Sequence, residues 1–366
     1  MSREIQSRTG LALVMLLVLC GVSGVSATVV IEPILDASGA GVYVVEMEGA
    51  LAGATSTIDV LLSNAELEEN PLLPALVDAS ARGVRVRVLL DQSDWSADIT
   101  EDNLPTIAWL NENGVEARFD DPTVTTHAKL VIIDDRITIL GSTNWNRYAL
   151  TTHVQANVRI DDERIAGTFS EYFQRLWTDR LVAGGVRLES TVTAGDKPTI
   201  IALPDTDDTA LYGHVLLDLL RRAEASIHVV MYRMSTYSGY ADSLSNGIAD
   251  ALVSAVRRGV DVRVLLDDCS YYEDSARANL ASAIVLYQGG VNVRFDEPGE
   301  TTHAKLVIVD GESVLIGSTN WNYYALERNV EASVALLRMP DVAEMFEAFF
   351  AELWAASRST AGGEAE

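Results

Sequence analysis

The sequence predicts an α/β fold built twice, as two tandem sandwich domains, and three observations carry that prediction. The first is an internal repeat. The stretch "THAKLVIIDDRITILGSTNW", from Thr126 to Trp145, returns as "THAKLVIVDGESVLIGSTNW", from Thr302 to Trp321, 176 residues later. Between Thr126–Leu150 and Thr302–Leu326, 17 of 25 positions are identical. The second is that the same register extends upstream, laying "ALVDASARGVRVRVLLDQ" over "ALVSAVRRGVDVRVLLDD" and "GVEARFDDP" over "GVNVRFDEP". Self-similarity at a fixed offset marks one structural unit used twice. The third is that each copy alternates strand-like and helix-like patterns, which points to helices packed on a sheet. A chain of 366 residues has room for two such cores.

The elements of the first copy can be justified in order. "STIDVLLS" is a β-branched, apolar run and reads as a buried strand. "NPLLPALVDASARG" has apolar residues at helical spacing, with Gly83 suited to end the helix. "VRVRVLLD" alternates and ends at Asp91, a second helix stops at Gly114, and "VEARF" is a short strand. "THAKLVIIDDRITIL" reads as a hairpin turning at Asp134–Asp135; the second copy turns at Asp310–Gly311, a strong hairpin dipeptide. "HVQANVRI" is a further strand, and a closing helix from Asp162 to Trp177 lines up Ile165, Phe169, Tyr172, Phe173 and Leu176. The second copy carries extra residues around "MSTYSGYADSLS" and closes at Trp354. Between the copies, "AGGVRLESTVTAGDKPT" has linker composition. The domain plan is therefore 28–182, a linker over 183–205, 206–357, and a disordered tail over 358–366.

Residues 1–27 read as a secretory signal peptide. Arg3 and Arg8 precede an apolar run from Leu11 to Cys20, and small residues follow up to Ala27. The apolar character nearly continues to Ile31, so an uncleaved membrane anchor through residues 11–30 is the alternative. "LVLC" resembles a lipoprotein site only loosely, because Leu19 is bulky. Either way the expected location is secreted or extracytoplasmic. Removal of the segment would take Arg3, Arg8 and Glu4, moving the net charge from -26 to -27, and would leave Cys269 without an intrachain disulfide partner. Hydrophobic content of 48% excludes a disordered chain. The acidity argues against non-specific binding to phosphate backbones, which needs clustered positive charge.

One strand carries the chemistry. His127 and Lys129 sit two apart and leave on the same face. Gly141, Ser142 and Asn144 follow the partner strand, where the glycine is expected to let backbone approach a ligand. A proton carrier or nucleophile, a cation, a hydroxyl and an amide together suit a phosphodiester. His303, Lys305, Gly317, Ser318 and Asn320 repeat the set. Lysine usage strengthens the point: the chain has three lysines, Lys129, Lys197 and Lys305, against twenty-four arginines. A compact ammonium and a planar guanidinium are not interchangeable, so two motif lysines in a lysine-poor chain indicate a site that needs the ammonium.

His127, Lys129 and Asp134, then Gly141, Ser142 and Asn144, resemble the His-x-Lys-x4-Asp-x6-Gly-Ser-x-Asn signature of the phospholipase D superfamily. His303, Lys305, Asp310, Gly317, Ser318 and Asn320 match it again at the same spacing. The resemblance covers nearly all of residues 40–357. It implies two phospholipase D-like domains related by a pseudo-twofold axis, one shared active site, no metal or other cofactor, and no oligomer needed to complete the site. It implies ping-pong chemistry through a phosphohistidine. It also implies that the residue downstream of each motif, Gln155 or Glu331, buttresses the histidine of the opposite half. On that basis Glu331 supports His127 as nucleophile, and Gln155 supports His303 as general acid and base. The same glutamine/glutamate asymmetry occurs in the tyrosyl-DNA phosphodiesterase branch. Asp134 and Asp310 fall on the opposite strand face, at a turn, and are expected to be structural.

Other residues have weaker claims. Trp145 and Trp321 are expected in the core. Tyr232, Tyr237, Tyr240, Tyr271 and Tyr272 either line the cleft mouth or cover the surface, while His153, His214 and His228 are expected to be structural. The function expected is an exported phosphodiesterase, with phospholipid hydrolysis or phosphatidyl transfer first and peripheral membrane contact. A secreted nuclease is the alternative, requiring a local basic groove from arginines such as Arg85, Arg87, Arg118, Arg147 and Arg233. An inactive module that binds phosphorylated ligands is the third.

Overall fold

The computed structural model describes residues 16–18, 29–37, 39–93, 96–178, 197–207, 209–240 and 242–359. The first half runs β1 (Leu16–Val18), β2 (Val29–Asp36), α1 (Val42–Gly53), β3 (Thr57–Leu62), α2 (Leu72–Ala81), β4 (Arg85–Leu90), α3 (Ala97–Glu112) and β5 (Glu116–Phe119). It continues with β6 (Lys129–Ile133), β7 (Ile137–Gly141), α4 (Arg147–Thr151), β8 (Gln155–Asp161) and α5 (Glu163–Trp177). The second half runs β9 (Thr199–Asp205), α6 (Leu211–Arg222), β10 (Ser226–Met231), α7 (Leu244–Arg258), β11 (Asp261–Leu266), α8 (Glu273–Gln288) and β12 (Asn292–Phe295). It closes with β13 (Lys305–Val309), β14 (Ser313–Gly317), α9 (Tyr323–Glu327), β15 (Glu331–Leu337), α10 (Pro340–Ala356) and β16 (Arg358–Ser359).

One sheet has the order β1-β2-β8-β7-β6-β3-β4-β5 and the other β16-β12-β11-β10-β13-β14-β15-β9. With β1 and β16 set aside, the two orders correspond strand for strand, as the repeat requires. The strands β3, β4 and β5 are parallel and joined by α2 and α3. The hairpins β6–β7 and β13–β14 lie beside them in the middle of each sheet, paired antiparallel on both sides. Their turns are tight because two successive residues adopt positive φ: Asp134 (56°) and Asp135 (49°), then Asp310 (56°) and Gly311 (63°). Both turn residues at φ > 0 is the geometry that follows the twist of a hairpin.

Strand alternation decides where the apolar side chains go. Ala128, Leu130 and Ile132 point into one core, and Val131 and Ile133 into another. The first of these cores is shared by both halves: Phe169 and Phe173 of α5 and Phe346 and Phe350 of α10 belong to one buried cluster. The outer faces are covered separately, by α1–α3 in the first half and α6–α8 in the second. The closing helix of each copy buries the predicted stripe of Ile165, Phe169, Tyr172, Phe173 and Leu176.

Three boundaries differ from the sequence reading. The stretch 199–205, expected within the linker, is β9, paired antiparallel with β15 from Glu331↔Asp205 to Leu337↔Thr199. Its partner lies far along the chain, so no local signal marks it. Residues 358 and 359, expected in the tail, form β16 on β12, where Arg358 donates to the carbonyl of Asp296 and to Asp268. The stretch 11–30, given as the alternative anchor, overlaps the fold, since Val29 and Val30 belong to β2, which pairs with β8, and Leu16–Val18 pairs with β2. The linker core over 183–196 and residues 360–366 lie outside the described residues. Among the described residues no helix is long and apolar enough to cross a membrane.

Candidate active site

Lys129 opens β6 opposite Leu62, the last residue of β3, and Lys305 opens β13 opposite Met231, the last residue of β10. Both motifs therefore lie at the carboxyl ends of parallel strands, where open α/β sheets form ligand crevices. Each histidine segment then crosses to the other half. The amides of His127 and Ala128 both donate to the carbonyl of Val330, at 2.8 and 3.0 Å, and Val330 N–H donates to Thr125 at 2.9 Å. In the mirror arrangement His303 N–H donates to Val154 at 2.9 Å, and Val154 N–H to Thr301 at 2.8 Å. The backbone thus brings both histidines to one cleft between the halves.

The side chains are anchored across the same boundary. His127 Nδ1 lies 3.0 and 3.1 Å from the two carboxylate oxygens of Glu331. His303 Nδ1 lies 2.9 Å from the carbonyl of Ser142 and 3.3 Å from Gln155 Oε1. These oxygens only accept, so Nδ1 carries the proton in each ring and the lone pair sits on Nε2. Ser318 Oγ donates to Glu331, and Ser142 Oγ donates to Gln155 Oε1 at 2.6 Å. Both serines also accept a backbone N–H at 3.0 Å, from Ala332 and Ala156. They are fully buried supports of the buttress residues, set back from the cleft.

The lysines are almost wholly buried, and each ammonium donates to the carbonyl of its own motif histidine. Burial pushes Lys129 down to about 8, against the attraction of Glu331 and Asp91. Lys305 is held well below its ordinary value by burial and then by Lys129. His127 is lowered by burial, which outweighs the opposing pull of Glu331. His303 is lowered well below its usual value by burial and by both lysines, and among the described residues no carboxylate hydrogen-bonds to it to offset them. Glu331 is opposed by its own burial but held below the usual range by His127 and Lys129. Two ammonium groups, two imidazoles and one carboxylate make a site that favours an anion.

Asn144 and Asn320 follow the partner strands as predicted, and the buried Oδ1 of each has no partner among the described residues. Neither amide oxygen is used to hold the fold. Gly141 and Gly317 are needed for a different reason from the one the sequence suggested. A Cβ on Gly141 would lie 2.4 Å from Asn157 Oδ1 and 2.5 Å from the carbonyl of Ala156; on Gly317 it would lie 2.5 Å from Ser333 Cα. The close approach is to the neighbouring strand, not to a ligand. Asp134 and Asp310 sit at the far end of the hairpins. Asp134 accepts the amides of Thr55, Ser56 and Thr57, and Asp310 those of Glu224, Ala225 and Ser226. Burial opposes the ionised form of Asp134, but these amides hold its carboxyl well below the usual range. Each motif aspartate fastens the loop leading into β3 or β10.

Trp145 and Trp321 are fully buried, their indole N–H groups donating to Tyr43 and Tyr212 at 2.9 and 3.1 Å. Sequence reasoning missed three groups. Asp91 and Asp267 end β4 and β11 and accept the amides of Thr126 (2.7 Å) and Thr302 (2.5 Å), the residues just before the histidines. Their presence in both copies after "VLL" was the available signal. His153 lies 6.1 Å, centroid to centroid, from His303 and is pushed down to about 4 by burial and Lys305; no motif pointed to it. Tyr232 presents its edge to His303 at 4.6 Å, whereas Tyr240, Tyr271 and Tyr272 are exposed. Among the described residues the carboxylates of Asp267, Asp268 and Asp296 lie close enough to share a cation, but they already hold the amides of Thr302, Cys269 and Asp268 and the guanidinium of Arg358.

Comparison with known proteins decides the family. The sequence matches the family described as cardiolipin synthase, phospholipase D-like domain, over residues 47–177 and 216–354. The chain belongs to the phospholipase D superfamily. Both matched segments end on the closing helices, at Trp177 and Trp354. Among relatives, the chain is 27% identical over 127 residues to the mitochondrial cardiolipin hydrolase of Chlamydomonas reinhardtii, covering 35% of this chain and 54% of that one. It is 32% identical over 131 residues to the phospholipase D of Rickettsia prowazekii, covering 36% and 57%. The chain spans about half the length of the curated relatives it matches. Phosphatidylserine synthase from Haemophilus influenzae shares the fold over 89% of this chain and 87% of its own, with a TM-score of 0.71 at 13% identity. The phospholipase D fold and the doubled motif thus coincide in this chain.

Proposed function

We propose that this protein is a phosphodiesterase that works through a phosphohistidine and acts on phospholipids, by hydrolysis or by phosphatidyl transfer to an alcohol. The observation that carries the reading is the meeting of two Nδ1-anchored imidazoles with two buried ammonium groups, one from each half, around a single carboxylate. In this reading Lys129 and Lys305, with the amides of Asn144 and Asn320, hold the non-bridging oxygens of the diester. The Nε2 lone pair of His127 attacks phosphorus, the bond to the leaving alcohol breaks, and His303 Nε2 delivers the proton to that oxygen. The incoming anion raises the proton affinity of His303, which burial and two lysines otherwise hold down. His303 then takes a proton from water or an acceptor alcohol, whose oxygen displaces His127 from phosphorus.

The buttress asymmetry supports this division of roles. A phosphorylated imidazole with a protonated Nδ1 is cationic, and Glu331 lies against His127 to stabilise it. Among the described residues the hydrogen-bond partners of His303 Nδ1 are neutral, a carbonyl and Gln155, which suits a group that exchanges a proton. Two observations favour lipid over nucleic acid. The net charge of -26 repels a polyanion. Three of the five arginines that could line a basic groove are engaged elsewhere: Arg87 pairs with Asp59 at 2.7 Å, Arg118 lies over Trp177 at 4.5 Å, and Arg147 pairs with Glu69 at 3.1 Å. The names of the relatives, cardiolipin hydrolase and phospholipase D, agree with a lipid substrate. Export, supported by the charged and apolar pattern of residues 1–27, would bring the enzyme to a membrane face.

The test uses purified protein with chelator present, offered phospholipid vesicles, single-stranded DNA and a chromogenic bis-aryl phosphodiester. Turnover that survives chelation and is lost in Lys129→Arg supports the shared mechanism, and lipid cleavage without DNA cleavage supports the substrate class. His303→Asn should accumulate a phosphoryl adduct on His127, read by peptide mass mapping. An adduct on His303 in His127→Asn instead reverses the two roles, and no turnover of any diester favours a binding module.

A further inference from the structure

The copies differ at the residue two places before each buttress. His153 and Asn329 are structural counterparts: the amide of each donates to the carbonyl of a tyrosine five residues back, Tyr148 at 3.1 Å and Tyr324 at 2.8 Å. Asn329 serves the buttress of its own copy, its Nδ2 donating to Glu331 at 3.3 Å. His153 and Gln155 make no such bond. His153 Nδ1 and Gln155 Nε2 are both buried without a partner among the described residues. The backbone fixes where His153 stands. The next residue, Val154, accepts the amide of His303 at 2.9 Å and gives its own to Thr301 at 2.8 Å. The His153 ring therefore lies 6.1 Å from that of His303, centroid to centroid and tilted by 49°, and stacks with the exposed Tyr148 at 6.4 Å.

Two imidazoles at that separation suit one shared water. With hydrogen bonds of about 2.8 Å to a nitrogen of each ring, a single oxygen sees them at roughly 100°, close to the tetrahedral angle of water. His153 is pushed down to about 4 by burial and by Lys305, so the ring is neutral at pH 7 and one nitrogen keeps a lone pair. A buried N–H without an acceptor is rarer than an unfilled lone pair, which leaves the lone pair on Nδ1. On the His127 side the corresponding amide is already committed to Glu331.

We propose that His153 selects water over an alcohol as the group that releases the phosphohistidine, by holding the second hydrogen of the attacking water. The proposal rests on the phosphodiesterase reading above, in which His303 takes the proton of the acceptor. The acceptor oxygen bonds to phosphorus as the bond from phosphorus to His127 Nε2 breaks. The electron pair of that bond returns to His127, and one proton passes from the acceptor to His303 Nε2. Water has a second O–H, which stays on oxygen and donates to His153. An alcohol has only the hydrogen that His303 takes, and its alkyl group would face a lone pair left bare. The chain is thereby a hydrolase first and a transferase second.

The test uses bis-p-nitrophenyl phosphate in buffer containing ethanol. Chromatography of one sample counts two products, p-nitrophenyl phosphate from attack by water and ethyl p-nitrophenyl phosphate from attack by ethanol. Their ratio does not depend on how much of a variant folds. His153→Phe keeps a ring against Tyr148 and removes the lone pair; it should raise the ethyl share at least about fivefold, the worth of one hydrogen bond. His153→Gln restores a neutral acceptor and should bring the ratio back toward wild type. A ratio unmoved in His153→Phe overturns the selection. An equal rise in both variants also overturns it, because the effect then belongs to the packing of the ring. Wild type that cleaves the diester with either of these results loses this inference alone. Wild type that cleaves no diester loses the function reading, and the selection falls with it.

Discussion

Asp91 shows how a single buried acid can serve this site at a cost. Its side chain is fully buried; Oδ1 accepts the Thr126 amide at 2.7 Å and Oδ2 has no partner among the described residues. Burial and the neighbouring Asp120 push it up to about 8. Between the ordinary aspartate value of 3.8 and about 8 the native state holds a proton that the unfolded state has released. Stability conferred through this residue is therefore lost as pH rises through that window. Asp91→Asn keeps the acceptor for Thr126 and removes the need for the proton. The variant should be more stable than wild type at pH 7 by roughly 1–4 kcal/mol, counting about 1.4 kcal/mol per pH unit. The difference should close near pH 4, as read by urea denaturation at both values. A variant less stable at pH 7 would show that the carboxylate is ionised and paired with Lys129.

At the scale of strands, Gly317 is where packing and chemistry meet. It ends β14 opposite Ser333 on β15, two residues beyond Glu331. A methyl there would strike Ser333 Cα and displace the strand that carries the His127 buttress. Gly317→Ala should cost about 1–3 kcal/mol of stability and lower kcat more than tenfold in the protein that remains folded, read by thermal unfolding and steady-state kinetics. Loss of stability with kcat unchanged would separate the packing from the buttress. The same comparison explains what was legible beforehand. His127, Lys129, Asn144 and their counterparts declare themselves through residue type and spacing on one hairpin, and the hairpin turns are written in Asp134–Asp135 and Asp310–Gly311. The reason for Gly317 lies on β15, which only pairing brings near. The strand β9 escaped notice for the same cause, its partner being distant in sequence. Tyr232, one of the tyrosines expected either at the cleft mouth or on the surface, does reach His303, whereas His153 reaches it from a separate loop and nothing in its own surroundings marks it.

For the whole molecule, the shared core joins α5 and α10, and the histidine segments are cross-bonded between halves. Neither half can keep its core closed, nor satisfy the backbone around its motif, without the other. Urea unfolding should therefore be one cooperative transition, with tryptophan fluorescence, which reports on Trp145 and Trp321 in different halves, coinciding with far-ultraviolet circular dichroism. Two separated transitions would mean that the halves fold as independent domains. A coincident transition also bears on the linker: cutting the chain between 183 and 196 should leave the two pieces associated and active, because the joint lies in the core and the cleft.

The crossing at Val330 and Val154 has a last consequence, for how such a molecule can change over generations. His127 hangs from the residue before β15 and His303 from the residue before β8, so each copy's reactive group is steered by the other copy's backbone. A duplicated gene usually frees one copy to wander. Here a drift at position 330 or 331 is felt first at residue 127, and a drift at 154 or 155 at residue 303. Gln155 against Glu331 is such a drift, and its effect falls on the partner's histidine. Compensating substitutions should therefore appear in pairs across the two halves, and grafting one half from a relative should fail more often than exchanging both together.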